Sequence, residues 1–161
     1  MGRGEFALAK EHLVAASEKP PIGWNPMGVH EVYVLLADIG ALQRDKELLT
    51  AYALRSDEIS LSLNHHLYHA IALRALAILD WLDHDFARAE ERLKESCQLF
   101  QRLETRWQIG RTLLDLCELS TSMGNQDEAK TYFTQAQSAF KTMGVLAGWD
   151  VADNSTHFPA A

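Results

Sequence analysis

The chain has 161 residues, of which 47% are hydrophobic and 23% charged, a composition typical of one globular domain with enough apolar side chains for a core. The formal net charge of −7 argues against a nucleic-acid-binding protein, which usually carries clustered Lys and Arg, and against binding to an anionic membrane surface. It is more compatible with a basic peptide or protein partner, although a charge of this size also keeps a domain soluble.

Apolar residues at helical spacing predict seven helices joined by short turns. Their expected ranges are 5–18, 29–42, 46–55, 58–82, 86–103, 106–123 and 127–142. Pro20 and Pro21 end the first helix, Ser56-Asp57 is predicted to cap the fourth, and Gly124-Asn125 stops the sixth. No segment shows the alternation with a period of two that is typical of a strand, so we predict an all-α fold.

The same pattern predicts the domain boundaries. We expect residues 4–143 to form the helical domain and residues 144–161 to form a partly ordered tail, with a further helix start near Trp149. Residues 1–3 resemble a cloning leader, yet Gly4-Glu5-Phe6 is in phase with His84-Asp85-Phe86, so a native origin is an equal interpretation.

One motif recurs with an offset of 40 residues, most clearly as HDFARAEERLKES around Ala89 and GNQDEAKTYFTQA around Ala129. After an acidic turn, residues follow one another at intervals of four and three, mostly in the order small, large, small. The four copies are Ala9, Leu13, Ala16; Leu49, Ala53, Ser56; Ala89, Leu93, Ser96; and Ala129, Phe133, Ala136. Each antiparallel helix pair can bury its apolar outer faces only against the next pair, so the repeat predicts a right-handed stack of pairs.

This pattern resembles the tetratricopeptide repeat over roughly residues 4–143. The first helix of each pair carries two large residues and a small one in the family's places: Tyr33, Leu36, Ala37; Leu73, Leu76, Ala77; and Leu113, Leu116, Cys117. Two features depart from the family: the spacing is 40 rather than the usual 34 residues, and the proline that ends each pair is absent. The longer spacing is similar to the repeats of large bacterial signalling ATPases, transcription activators and nucleotide cyclases.

The resemblance implies a superhelix whose concave groove holds a peptide or a partner protein. The groove positions that it implies are Glu31, Val34, Asp38, Arg74, Ile78, Trp81, Arg111, Leu114 and Glu118. Trp81 would anchor the partner, and Arg74 and Arg111 would pair with its carboxylates. The alternative for Ile78 and Trp81 is that they pack inside the stack. The other three tryptophans, Trp24, Trp107 and Trp149, are expected to fill gaps at pair junctions.

The chain begins and ends with the second helix of a pair, which predicts a segment of a larger array whose end faces promote self-association. Neither a signal peptide nor a bilayer-spanning apolar run is evident, which predicts a cytoplasmic protein. Cys97 and Cys117 are interpreted as small buried residues in a reducing compartment.

Nothing in the sequence indicates catalysis or a cofactor. His65 and His69 are one helical turn apart, a spacing that can chelate zinc, but no third ligand follows at a fixed spacing. We therefore interpret His65, His66 and His69 as surface histidines near the start of a helix, which are more common than metal ligands. Paired carboxylates such as Asp83 and Asp85 are interpreted as solvated charges at turns.

The sequence is therefore compatible with three functions. The first is a non-enzymatic interaction scaffold within a signalling or regulatory protein. The second is a module for self-association or for signal relay within its parent chain, and the third, weaker, is a small-molecule sensor.

Overall fold

The computed structural model describes residues 3–18, residue 23 and residues 26–144, which form seven α-helices. These are α1 (Arg3–Glu18), α2 (Pro26–Gln43), α3 (Lys46–Ser62), α4 (His66–Leu82), α5 (Phe86–Arg102), α6 (Arg106–Ser122) and α7 (Gln126–Lys141). The described ranges contain no strand, so the predicted all-α class and the number of helices are confirmed. Trp24 and the predicted helix start near Trp149 lie outside the described residues.

Helices that follow one another along the chain pack against one another, as in a helical repeat array. Connections of two or three residues join α2 to α3 and each later helix to the next, so these neighbours run antiparallel. The pairs are α2 with α3, α4 with α5 and α6 with α7, and α1 precedes them. Helices α2, α4 and α6 begin at residues 26, 66 and 106, an offset of 40 that matches the sequence repeat.

The turns repeat with the same offset. Arg44, His84 and Gly124 occupy the left-handed region, with φ of 54°, 65° and 81°. Asn64 and Glu104, in the turns from α3 to α4 and from α5 to α6, also occupy this region, with φ of 52° and 55°. Such a conformation costs a non-glycine residue about 1 kcal/mol. The chain tolerates this cost because each of these turns closes with a backbone hydrogen bond that satisfies a carbonyl of the preceding helix, such as Asp85 N to Asp80 O at 2.9 Å.

The repeat motif marks the residues at which helices meet. On the second helices, eight of its positions have no exposed surface: Leu49, Ala53, Ser56, Ala89, Leu93, Ser96, Ala129 and Ala136. The small residues among them suit places where backbones come close, and Ser96 Oγ donates to the Ala70 carbonyl of α4 at 2.7 Å. The positions that the repeat assigns to α2, α4 and α6 are buried too, whereas Leu13, Ala16 and Phe133 of the motif are only partly buried.

The predicted boundary between the third and fourth helices is wrong. Helix α3 continues through Ser56 to Ser62, and the chain turns at Leu63-Asn64-His65 instead. The apolar pattern runs on through this turn and conceals it, since asparagine enters the left-handed region without glycine's help. His65 caps α4, because its Nδ1 accepts from the amide of Tyr68 at 3.3 Å.

Helix α2 begins three residues before the predicted start, at Pro26. Proline suits the first residue of a helix, where its missing amide proton has no partner to lose. Helix α1 packs on α2 through Leu13, Val14 and Ala16, and Lys10 Nζ lies 2.5 Å from Asp45 Oδ2.

Both cysteines are buried and form no disulfide, so their predicted burial is confirmed. Burial raises the pKa of Cys97 to about 11, so its thiol is protonated at neutral pH and is a poor nucleophile. These side chains contribute to packing.

Candidate functional site

The nine groove residues predicted from the sequence lie on α2, α4 and α6 but differ in accessibility. Glu31 and Glu118 are exposed, while Asp38, Trp81, Arg111 and Leu114 are partly buried. Val34, Arg74 and Ile78 are buried, with 2%, 0% and 0% of their surfaces exposed. The last three therefore lie beneath the surface that a partner would meet, and the interior alternative holds for Ile78.

Arg74 is the centre of a polar network within the array. Its Nη2 donates to Asp38 Oδ1 at 2.5 Å, and its Nη1 donates to Gln108 Oε1 at 2.7 Å. Its guanidinium carbon lies 5.5 Å from the centre of the Phe100 ring. The expectation that Arg74 binds a partner's carboxylate is thus corrected: its carboxylate is Asp38 of the same chain, which compensates the cost of burying the charge.

Asp38 is shared between two arginines. Arg111 of α6 donates to it from Nη1 and Nη2 at 3.2 and 3.4 Å, in addition to the bond from Arg74. Burial by itself would raise the pKa of Asp38, but the two guanidinium groups outweigh it and hold the pKa below its ordinary value. Asp38 therefore remains ionised and joins α2 to both α4 and α6.

A second bridge spans α2 and α6 through Arg44, at the end of α2. Its Nη2 lies 3.2 Å from Asp115 Oδ1 and 2.9 Å from Glu118 Oε2, both on α6. Its guanidinium carbon stacks 4.4 Å from the centre of the Trp81 ring. Trp81 also packs against the cores on both sides of α4. Because Arg44 covers one face of its ring, Trp81 contributes to packing within the array, and its role as the anchor of a partner stays a prediction.

Beside this bridge lies a cavity of about 270 Å³, which we name the α2–α6 cleft. Its lining combines apolar and charged side chains from the two helices and the turn after α2: Ala41, Leu42, Arg44, Arg111, Leu114, Asp115 and Glu118. Three of the nine predicted residues, Arg111, Leu114 and Glu118, are thus brought together here. Leu42 is 50% exposed and gives the cleft an apolar edge.

The charges of the cleft are balanced, two arginines against two carboxylates. Burial raises the pKa of Asp115 above its ordinary value, although Arg74 and Arg44 oppose this shift. The Nη1 atom of Arg44 is buried and has no hydrogen-bond partner among the described residues.

The cleft is also lined by four residues that were not predicted from the sequence: Ala41, Leu42, Arg44 and Asp115. A signal for Asp115 was present, because Arg111, Leu114, Asp115 and Glu118 share one helical face by their spacing. No sequence signal indicates that the end of α2 lies beside α6.

The three histidines of the predicted cluster lie in different local environments. His65 caps α4 and stacks on Tyr68 with ring centres 3.9 Å apart, while His66 is exposed. His69 Nδ1 lies 2.6 Å from Asp57 Oδ1. Within the described ranges, no three His, Cys, Asp or Glu side chains come together as a metal site would require.

None of the described helices is both long enough and apolar enough to cross a bilayer. No protein-family model, no curated protein and no solved structure matches the chain. Its function must therefore be inferred from its own geometry.

Proposed function

We propose that this chain is a non-enzymatic interaction scaffold of the tetratricopeptide type, acting in the cytoplasm and binding an extended segment of a partner protein. The observation that carries the proposal is the α2–α6 cleft, where Leu42 and Leu114 offer apolar contacts beside paired charges. Mixed apolar and arginine-rich lining is typical of protein-recognition surfaces. The larger signalling or regulatory protein implied by the repeat resemblance remains a prediction.

The balanced charge of the cleft favours a polypeptide over a strongly charged ligand. An apolar side chain of an extended segment would pack between Leu42 and Leu114, beside the paired charges of the cleft. The volume of about 270 Å³ falls just below the range usual for small-molecule pockets, which disfavours the sensor alternative.

The test uses a peptide selected from a random displayed library against the wild-type chain. Leu42→Glu should weaken binding of that peptide at least about tenfold, because it places a carboxylate where an apolar contact is expected. The matched control is Leu54→Glu on α3, since Leu54 is 57% exposed and does not line the cleft. Equal affinities for wild type and both variants would place recognition elsewhere and reject the proposal.

A second candidate is a module for self-association or intramolecular relay. It is favoured by the internal ion pairs of Asp38 and Arg44, which already occupy much of the predicted groove. Light scattering decides between the two: a dimer that dissociates in the Leu42→Glu variant would mean that the cleft is covered by a second copy.

A further inference from the structure

The end of the third helix pair opposite the Asp85 and Asn125 turns carries an unusual combination of exposed side chains. The start of α6 lies beside the end of α7, where the rings of Trp107 and Phe140 have centres 5.4 Å apart, and a three-residue turn links the start of α6 to the end of α5. We name this surface the basic-apolar end and define it by Arg102, Leu103, Arg106, Trp107, Lys141 and Met143.

Its apolar members are more exposed than their residue types usually are. Leu103, Trp107 and Met143 have 37%, 48% and 38% of their surfaces exposed. Trp107 takes the repeat position of Leu67, which is half-buried against the core that contains Phe100. The larger and more accessible indole at this position provides area that a partner's apolar side chains can cover.

Its cationic members are the only described arginine and lysine side chains with neither an acidic nor an aromatic partner among the described residues. Helix polarity accounts for two of them, because Arg102 and Lys141 lie in the last turns of α5 and α7, where a positive charge is favourable. It does not account for Arg106. Arg106 is the first residue of α6, where the helix dipole repels a positive charge.

We propose that the basic-apolar end docks an acidic segment of another protein that also carries apolar side chains. Carboxylates of the segment would pair with Arg106, Arg102 and Lys141, and its apolar side chains would cover Trp107, Leu103 and Met143. Arginine and lysine ion pairs at the edge of an aromatic contact would direct and orient the segment. This inference concerns a different surface from the α2–α6 cleft and does not depend on it.

Other occupants fit the observations less well. An anionic membrane or a nucleic acid is usually bound by a larger group of cations, whereas here Glu104 offsets one of three. A symmetric contact with a second copy would bring the same three cations face to face, which is unfavourable.

The experiment is fluorescence anisotropy with a short labelled peptide in which aspartate alternates with leucine and phenylalanine. Saturable binding is expected for the full chain, and Arg106→Glu should weaken it about tenfold or more. The matched control is Lys130→Glu, which makes the same change of charge at an exposed residue at the other end of α7. It should leave the affinity within about twofold, because a distant exposed charge is screened by salt.

Five results would overturn the proposal. The first is no binding of the peptide, and the second is an equal loss of affinity in Arg106→Glu and Lys130→Glu. The third is equal binding of a peptide with lysine in place of aspartate, and the fourth is cosedimentation of the chain with phosphatidylserine vesicles that Arg106→Glu abolishes. A dimer of the unliganded chain that separates in Arg106→Glu would likewise assign this end to a second copy.

Discussion

Arg74 and Asp38 join the middle of α4 to α2 through a hydrogen bond of 2.5 Å between Nη2 and Oδ1, and the arginine side chain has no exposed surface. Removing one partner of a buried ion pair leaves an uncompensated charge. Asp38→Asn should therefore lower the free energy of unfolding by about 3 kcal/mol, measured by urea denaturation.

Asp83→Asn is the control for that experiment. Asp83 pairs with Lys46, but both side chains are about half exposed, so its loss should cost less than about 1 kcal/mol. Similar losses in Asp38→Asn and Asp83→Asn would contradict the view that Asp38 neutralises a buried charge.

Gly110 is required by the closeness of α6 and α7. A Cβ atom at this position would lie 2.6 Å from Cζ of Phe140, well inside van der Waals contact. Gly110→Ala should lower stability by about 1–3 kcal/mol through overpacking, although alanine favours the helix, and thermal denaturation would report the loss.

A second substitution tests the cause of that loss. The three atoms closest to the added methyl group all belong to the outer part of the Phe140 ring, which leucine lacks. Phe140→Leu should therefore destabilise the Gly110→Ala chain less than it destabilises the wild type. Additive losses would instead point to a different source of the effect.

His30 should make stability depend on pH. It is fully buried, and its Nε2 lies 2.9 Å from Ser60 Oγ. Burial lowers its pKa, His65 lowers it further, and the Ser56 carbonyl opposes this. Because the folded pKa lies below the unfolded value, the unfolded chain binds the proton more tightly. The stabilisation is complete above the ordinary histidine pKa of about 6.5 and is lost as the pH falls from there through the lower pKa of the folded chain.

Urea denaturation at pH 8 and pH 5.5 would measure this effect. The loss of stability on acidification should be smaller in His30→Gln than in the wild type, since glutamine cannot take up the proton. His66→Gln is the control, because His66 is exposed. This variant should lose as much stability between pH 8 and pH 5.5 as the wild type does. A steeper dependence in His30→Gln would reverse the sign assigned to His30.

The helix caps differ in a way that a pair of alanine substitutions can reveal. Asp85 Oδ1 accepts from the amide of Arg88 at 3.2 Å, whereas Asn125, in the same place one repeat later, makes no side-chain cap bond. Asp85→Ala should cost about 1 kcal/mol, and Asn125→Ala clearly less, as measured by thermal denaturation. Equal costs would indicate that the turn, and not the side-chain bond, fixes the start of the helix.

Much of the fold follows from the 40-residue offset, because the small residues at positions such as Ala89 and Ala129 must face a neighbouring backbone. The one wrong helix boundary could have been corrected from the same offset: Glu104-Thr105 is recognisable as a break, and 40 residues earlier stands Asn64-His65. The local sequence pattern placed the turn at Ser56-Asp57, whereas the repeat offset indicates its observed position at Asn64-His65.

The candidate site was predictable only in part. Spacing places Arg111, Leu114 and Glu118 on one helical face, but the curvature that brings α2 beside α6 depends on side-chain volumes throughout the stack. The burial of Arg74 could not be foreseen for the same reason, since its partner Asp38 is 36 residues away and belongs to another pair.

The bridges from Arg44 and Asp38 to α6 connect the first helix pair with the third and pass over the second. An array in which each pair contacts only its neighbours unfolds approximately as a series of coupled units, and its terminal units fray first. Here the first and third pairs restrain each other directly, which adds cooperativity between units that are not adjacent. Hydrogen exchange of amides in α2 and α6 should consequently report one shared opening free energy, and substitution of Arg44 should separate the two.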